Sequence, residues 1–258
     1  MRTDKLVAAM LVSAAMLGCA GFNRSTENST GHDAPQASAV VRAWAATHLS
    51  TPARVSGWDT LAFPGKRAAA FEPTEVLLRP ALRVRANSSV SILRQRFEPM
   101  LPAVGRLSLS WKIDGLPDGA DLSNAALADS PVRLVLAFEG DRSRWSPRMH
   151  RLSELSRLLT GEELPYATLI YVWSATDPVD TVLKNPRTDR IRKVVLDSGS
   201  ERVGQWRDHV RDVRADFRRA FGEKPGPLRQ IALMTDTDNT RSSLTAWYGP
   251  LSLELAQD

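Results

Sequence analysis

The 258-residue chain is poor in cysteine, tyrosine, lysine and histidine, and it has no long unbroken hydrophobic run. One Cys excludes a disulfide scaffold and any zinc site built on several thiolates. The four His, at positions 32, 48, 150 and 209, are scattered, and no His-Glu-x-x-His pattern joins two of them. There is no Gly-x-Ser-x-Gly elbow to present a hydrolase nucleophile, and no glycine-rich phosphate loop. The longest apolar run, residues 6–18, has 13 residues, whereas a bilayer-spanning helix needs ~20. A polytopic membrane protein is therefore excluded. With 43% hydrophobic and 24% charged residues, the chain is neither wholly disordered nor fibrous.

Lysine supplies only six of the 34 basic residues. The net charge is +5, but acids are interleaved with the arginines, as in Asp208-His209-Val210-Arg211-Asp212. Such mixing cancels the field beyond roughly one Debye length, ~8 Å in physiological salt. The nearest approach to a basic stripe, residues 142–151, is short, so no nucleic-acid partner is expected.

What is present begins at the N-terminus. Arg2 and Lys5 precede the apolar run, the order of a secretory signal. The run ends Met16-Leu17-Gly18-Cys19, which resembles the lipobox of bacterial lipoproteins, with Met16 where Leu is usual. The only Cys of the chain falls at the lipid-accepting position. Residues 1–18 thus read as a lipoprotein signal peptide and Cys19 as the lipidation site, making the membrane a partner through the N-terminal lipid. Ala20 after the Cys favours, by analogy with enterobacterial sorting, the outer membrane facing the periplasm. The alternative is an ordinary signal peptide and a secreted or periplasmic protein. Residues 19–38 hold one large apolar side chain, Phe22, too little to offset the entropy of ordering, and read as a flexible tether.

Residues 39–258 read as a single domain. Period-two alternation marks strands at residues 82–86, 90–94, 106–114, 131–139, 168–173, 190–197, 228–234 and 251–255. In residues 106–114, Leu107, Leu109, Trp111 and Ile113 share one face. Helical spacing occurs at residues 39–48, 147–160 and 214–221, the second ended by Gly161 and the third by Gly222. Eight to ten short strands with two or three short helices predict a mainly β fold, a jelly-roll-like β-sandwich.

Residues 234–240 read Met-Thr-Asp-Thr-Asp-Asn-Thr. Asp236, Asp238 and Asn239 offer hard oxygen ligands at a strand end, the chemistry of Ca²⁺. The same residue types also make turns by bonding their own backbone. Structural Ca²⁺ is the one cofactor this pattern suggests. Trp145, Trp206 and Trp247 lie in polar or turn surroundings, where a ring either stacks on a sugar or packs locally, whereas Trp111 and Trp173 read as core. A glycosidase needs two carboxylates ~5–10 Å apart. Asp236 and Asp238 alternate along one strand and are the first pair to test, with Asp197 and Glu201 second. No catalytic residue is assigned, and the balance is against an enzyme.

In order along the chain stand Leu164-Pro165-Tyr166-Ala167-Thr168-Leu169-Ile170-Tyr171-Val172-Trp173, then Val195-Leu196-Asp197-Ser198-Gly199, Gly204-Gln205-Trp206, residues 216–222, residues 231–240 and Tyr248-Gly249-Pro250. With Trp58, the turn at residues 63–66 and Ala128-Asp129-Ser130-Pro131, they resemble the bacterial domain-of-unknown-function family 3047 over roughly residues 55–256. The chain departs from the pattern at Ser130, where a second Asp is expected. The resemblance implies a secreted or envelope protein whose pattern looks like the jelly rolls of carbohydrate-binding modules. The expected function is a lipid-anchored cell-envelope protein that binds a glycan or another envelope ligand. Its partner is then a polysaccharide or an envelope protein. The alternatives are a glycoside-active enzyme on the same scaffold and a structural, protein-partner lipoprotein.

Overall fold

A computed structural model describes residues 57–256 except 64, 103, 161, 186 and 187. The expected signal peptide, lipidation site Cys19 and tether, the helix expected at residues 39–48 and the helix stop expected at Gly161 lie outside the described residues. Among those described, thirteen strands form two sheets. The seven-stranded sheet runs, in spatial order, β1 (Asp59–Leu61), β4 (Val90–Leu101), β11 (Leu228–Asp236), β6 (Ser130–Phe138), β7 (Ala167–Ser174), β9 (Thr188–Ser198) and β8 (Val182–Asn185). The six-stranded sheet runs β10 (Arg207–Asp212), β5 (Val104–Ile113), β12 (Ser243–Tyr248), β3 (Arg79–Asn87) and β2 (Phe71–Val76), with β13 (Ser252–Leu255) also on β5. Only β7 and β9 pair in parallel. The fold is the mainly β, jelly-roll-like sandwich that the alternation predicts.

All eight expected strands are present, but the expected total of eight to ten is too low. The clearest omission is β10, Arg-Asp-His-Val-Arg-Asp. It carries no apolar stripe because Arg207, His209 and Arg211 are its less exposed side chains and reach buried carboxylates instead. In β12 the inward residues Leu244, Ala246 and Tyr248 do alternate, over a run too short to stand out.

Two α-helices, α1 (Pro147–Thr160) and α2 (Val213–Phe221), lie among the described residues. Asp212 caps α2 by accepting the Ala215 N–H at 3.0 Å, and Gly222 ends it with φ 73°. A left-handed φ after a helix is favourable for Gly and costly for other residues.

The inner faces of the sheets meet in one core. Leu134, Leu136, Phe138, Leu169, Tyr171 and Trp173 come from the first sheet, and Leu82, Val84, Leu107, Trp111 and Ile113 from the second. Each fully buried side chain of this size contributes roughly 1.5–3 kcal/mol of transfer free energy. Trp111 and Trp173 are fully buried, as the alternation implies.

The seven-stranded sheet is apolar on its other face as well. In β7, Leu169, Tyr171 and Trp173 enter the core while Ile170 and Val172 point outward, packing with Leu122 and Val195. Beside them Leu61, Val90, Ile92 and Ala232 form a second outer cluster. Strands buried on both faces read as continuous apolar runs. Such a run, Thr-Leu-Ile-Tyr-Val-Trp, stands in the sequence of β7.

Candidate functional site

Strand register places the outward side chains of this sheet in rows. Met234 of β11 stands opposite Arg133 of β6, which stands opposite Val172 of β7. The next row is Ala232, Val135, Ile170 and Lys193, and the one after is Gln230, Ala137, Thr168 and Ile191. Apart from the fully buried Val172, they floor a groove of about 290 Å³, near the lower end of the ~300–1,000 Å³ typical of ligand pockets. Its walls include Leu61 and Phe63 on one side and Leu164 and Pro165 on another. Among its described lining residues Phe63 is the sole aromatic side chain.

The apolar floor ends in charge. Thr235 points inward and bonds Tyr248, so the next residue, Asp236, must point into the groove. Asp129, immediately before β6, is 1% exposed. It accepts the Asn239 amide and both the backbone N–H and the hydroxyl of Thr240, each at 2.8 Å. Thr237 ties the same loop to the Ser89 carbonyl through its N–H at 2.9 Å. The run at residues 234–240 is therefore both a turn and an acidic cluster: one oxygen from each of Asp129, Asp236 and Asp238 lies within 4.8 Å of the others.

Two basic residues pair with this cluster, and a third lies in the same groove. The Arg133 guanidinium lies 3.0 Å from Asp236 Oδ2 and also donates to the Ala128 carbonyl. Lys66, from the turn after β1, donates to Asp238 Oδ2. Lys193 is 3% exposed and donates to the Leu122 carbonyl at 2.8 Å. The second oxygens, Asp236 Oδ1 and Asp238 Oδ1, are buried and have no hydrogen-bond partner. Burial pushes the Asp236 carboxyl up to about 6, against the pull of Arg133 and with a further push from Asp129. Burial likewise pulls the Lys193 ammonium down to about 7, helped by the positive charge of Arg133. An acid and a base both shifted toward neutrality in one groove mark a candidate functional site.

Asp236, Asp238 and Asn239, singled out from the sequence, line this groove together. Lys66, Asp129, Arg133 and Lys193 were not singled out. A signal existed for one of them: Arg133 is a charged residue inside an otherwise apolar strand, on the face opposite its core-facing neighbours. Ser130, at the expected second Asp, spends its hydroxyl on the carbonyls of Val132 and Trp173.

None of the three Trp candidates lines the groove. Trp145 is 6% exposed, donates to the Tyr166 carbonyl at 3.2 Å and stacks on the Tyr166 ring. Trp206 donates to the Val76 carbonyl and lies under Arg79. Trp247 lies under Lys112. Asp197 faces Trp111, Arg207 and His209 at the sandwich edge, away from the groove.

The family described as "Protein of unknown function (DUF3047)" matches residues 56–252. No curated protein matches the chain. Among solved structures, the enzymatically active domain of tailspike protein 4 from bacteriophage CBA120 is similar with TM-score 0.38 and 8% identity, over 79% of this chain and 20% of that one. The chain thus spans about a fifth of that protein's length. Endoglucanase 3 of Trichoderma harzianum, from family GH12, is similar with TM-score 0.41 and 8% identity, over 78% of this chain and 91% of that one. The xyloglucanase domain of NopAA from Sinorhizobium fredii, solved with cellobiose, gives 0.39 and 8%, over 78% and 99%.

Proposed function

The chain belongs to the DUF3047 family, whose description names no activity, and from its groove we propose that it is a lipid-anchored envelope protein that binds a glycan on the outer face of the seven-stranded sheet. The observation that carries this reading is the groove itself. It has an aliphatic floor on which the C–H faces of sugar rings can rest. Its charged end offers unpartnered carboxylate oxygens to ligand hydroxyls. A buried acceptor without a donor costs about 1–3 kcal/mol, which a ligand hydroxyl recovers on binding.

Filling the floor tests the site. Ile191 lines the groove away from the acids. Ile191→Trp is expected to weaken glycan binding at least tenfold while the protein stays folded. Undiminished binding would move the ligand off this face.

A second reading, cleavage of a glycosidic bond, is favoured by one observation: Asp236 holds its proton to about pH 6 beside Asp238, which is paired with Lys66. A carboxyl that keeps its proton toward neutrality beside a second carboxylate suits a general acid. An enzyme would lose turnover in Asp236→Asn while retaining its ligand. A binder would show no turnover in either form.

Attachment rests on Cys19. Diacylation and N-acylation give more lipid than the two signals sufficient for stable anchoring. Cys19→Ala is expected to shift the protein from the membrane fraction to the soluble one, and an unchanged distribution would refute the anchor. Among the described residues no helix is long and apolar enough to cross a membrane.

A further inference from the structure

The two unpartnered oxygens at the charged end belong to carboxylates arranged alike. Arg133 engages the Oδ2 of Asp236, and Lys66 engages the Oδ2 of Asp238. In each carboxylate the Oδ1 is left buried and without a donor. Both side chains are 8% exposed. Asp129 completes a set of three carboxylates with one oxygen each within 4.8 Å. Its loop is held by Asn239 and Thr240, so its position does not depend on a bound ion.

We propose that Asp129, Asp236 and Asp238 bind a divalent cation of the Ca²⁺ class, and that the Lys66 ammonium occupies the site as an exchangeable counter-ion when the cation is away. The donor set is oxygen only, with no His or Cys, which selects hard cations over zinc or copper. The charge balance fits. Among the groups that bond the cluster, three carboxylates and Arg133 leave a charge of −2, which one divalent cation neutralises and Lys66 alone does not; Lys193 bonds the Leu122 carbonyl instead. Lys66 is the mobile member: its side chain is 35% exposed and reaches in from a turn on a flexible four-carbon stem. Arg133 is 8% exposed and held also by the Ala128 carbonyl, so it stays. Ca²⁺ takes six to eight oxygens. Three carboxylates cannot saturate it, which leaves positions for water or ligand oxygens. The inference does not depend on what the groove holds.

The test is calorimetric titration of the full chain with CaCl₂, with MgCl₂ in parallel and no glycan present, on wild type, Asp238→Asn and Lys66→Met. Wild type is expected to bind one Ca²⁺ per chain and to prefer it to Mg²⁺. Asp238→Asn should bind at least tenfold more weakly. Lys66→Met, which removes the competing ammonium, should bind at least tenfold more tightly. Circular dichroism confirms that each variant is folded, and Asp236→Asn replaces Asp238→Asn if the latter does not fold. No binding in either wild type or Lys66→Met would overturn the proposal. So would Ca²⁺ binding that the carboxylate substitution leaves unchanged. A blank glycan array beside a positive Ca²⁺ titration would sink the glycan reading alone.

Discussion

Asp197→Ala is expected to lower stability at neutral pH by about 3–5 kcal/mol, the usual cost of removing one partner from a buried ion pair. Asp197 is 3% exposed. Its Oδ2 receives the Trp111 indole N–H at 2.6 Å and faces His209 Nε2 at 2.7 Å, and its Oδ1 receives Arg207 at 2.7 Å. The carboxylate links β9 of one sheet to β5 and β10 of the other, so its loss strands three donors at the sandwich edge. A loss of this size lowers Tm by roughly 2–4 °C per kcal/mol in a chain of 150–250 residues. Burial pushes the carboxyl up, but the bonds from His209, Arg207 and Trp111 outweigh it and hold the group below its ordinary range. The stabilisation is therefore fully present above the unfolded carboxyl's value and is lost as pH falls through the folded one. The gap between wild type and Asp197→Ala should close in acid. A deficit under about 1 kcal/mol at pH 7 would mean that the contacts behave as an exposed pair.

The second large effect has the opposite sign. In chelator at pH 8, Asp236→Asn is expected to be more stable than wild type by about 2–3 kcal/mol. The folded carboxyl titrates at about 6 because burial opposes its charge, whereas an unfolded Asp titrates near ~3.9. Between those values the native state holds the extra proton. Stability is then greatest below the unfolded value and falls as pH rises through 6. The Asn variant has no such loss, so the two curves should coincide below about pH 4, diverge between about pH 4 and 6, and stay a constant gap apart above that. A residue whose neutralisation stabilises the fold is retained for something other than folding. A destabilised Asp236→Asn at pH 8 would instead make Asp236 an ordinary member of a structural ion pair with Arg133.

Much of the sandwich is legible in the residues because one-sided burial writes period two into a strand, as in β5 with Leu107, Leu109, Trp111 and Ile113. Where burial is two-sided the alternation disappears. β6 and β7 could be recognised as strands, but the role of their outer faces could not. β10 was invisible because charges, not apolar groups, face its partners. For the site, the acids of residues 236–239 were visible as a local cluster. Asp129, more than a hundred positions earlier, joins them only through the antiparallel pairing of β6 with β11. Lys66 arrives from the turn after β1, an equally non-local placement. For the tryptophans, the sequence shows a polar neighbourhood but not the contact each ring makes: Trp145 is buried and donates to the Tyr166 carbonyl, whereas Trp206 stays half-buried while donating to the Val76 carbonyl.

The most direct measurement is binding of the full chain to an array of bacterial-envelope and plant polysaccharides, wild type beside Ile191→Trp, with and without Ca²⁺. The groove predicts reproducible binding to one glycan class by wild type and at least a tenfold loss in Ile191→Trp, with Ca²⁺ strengthening the wild-type signal. A blank array for the folded wild type, or equal binding by both proteins, would contradict a glycan site on this face.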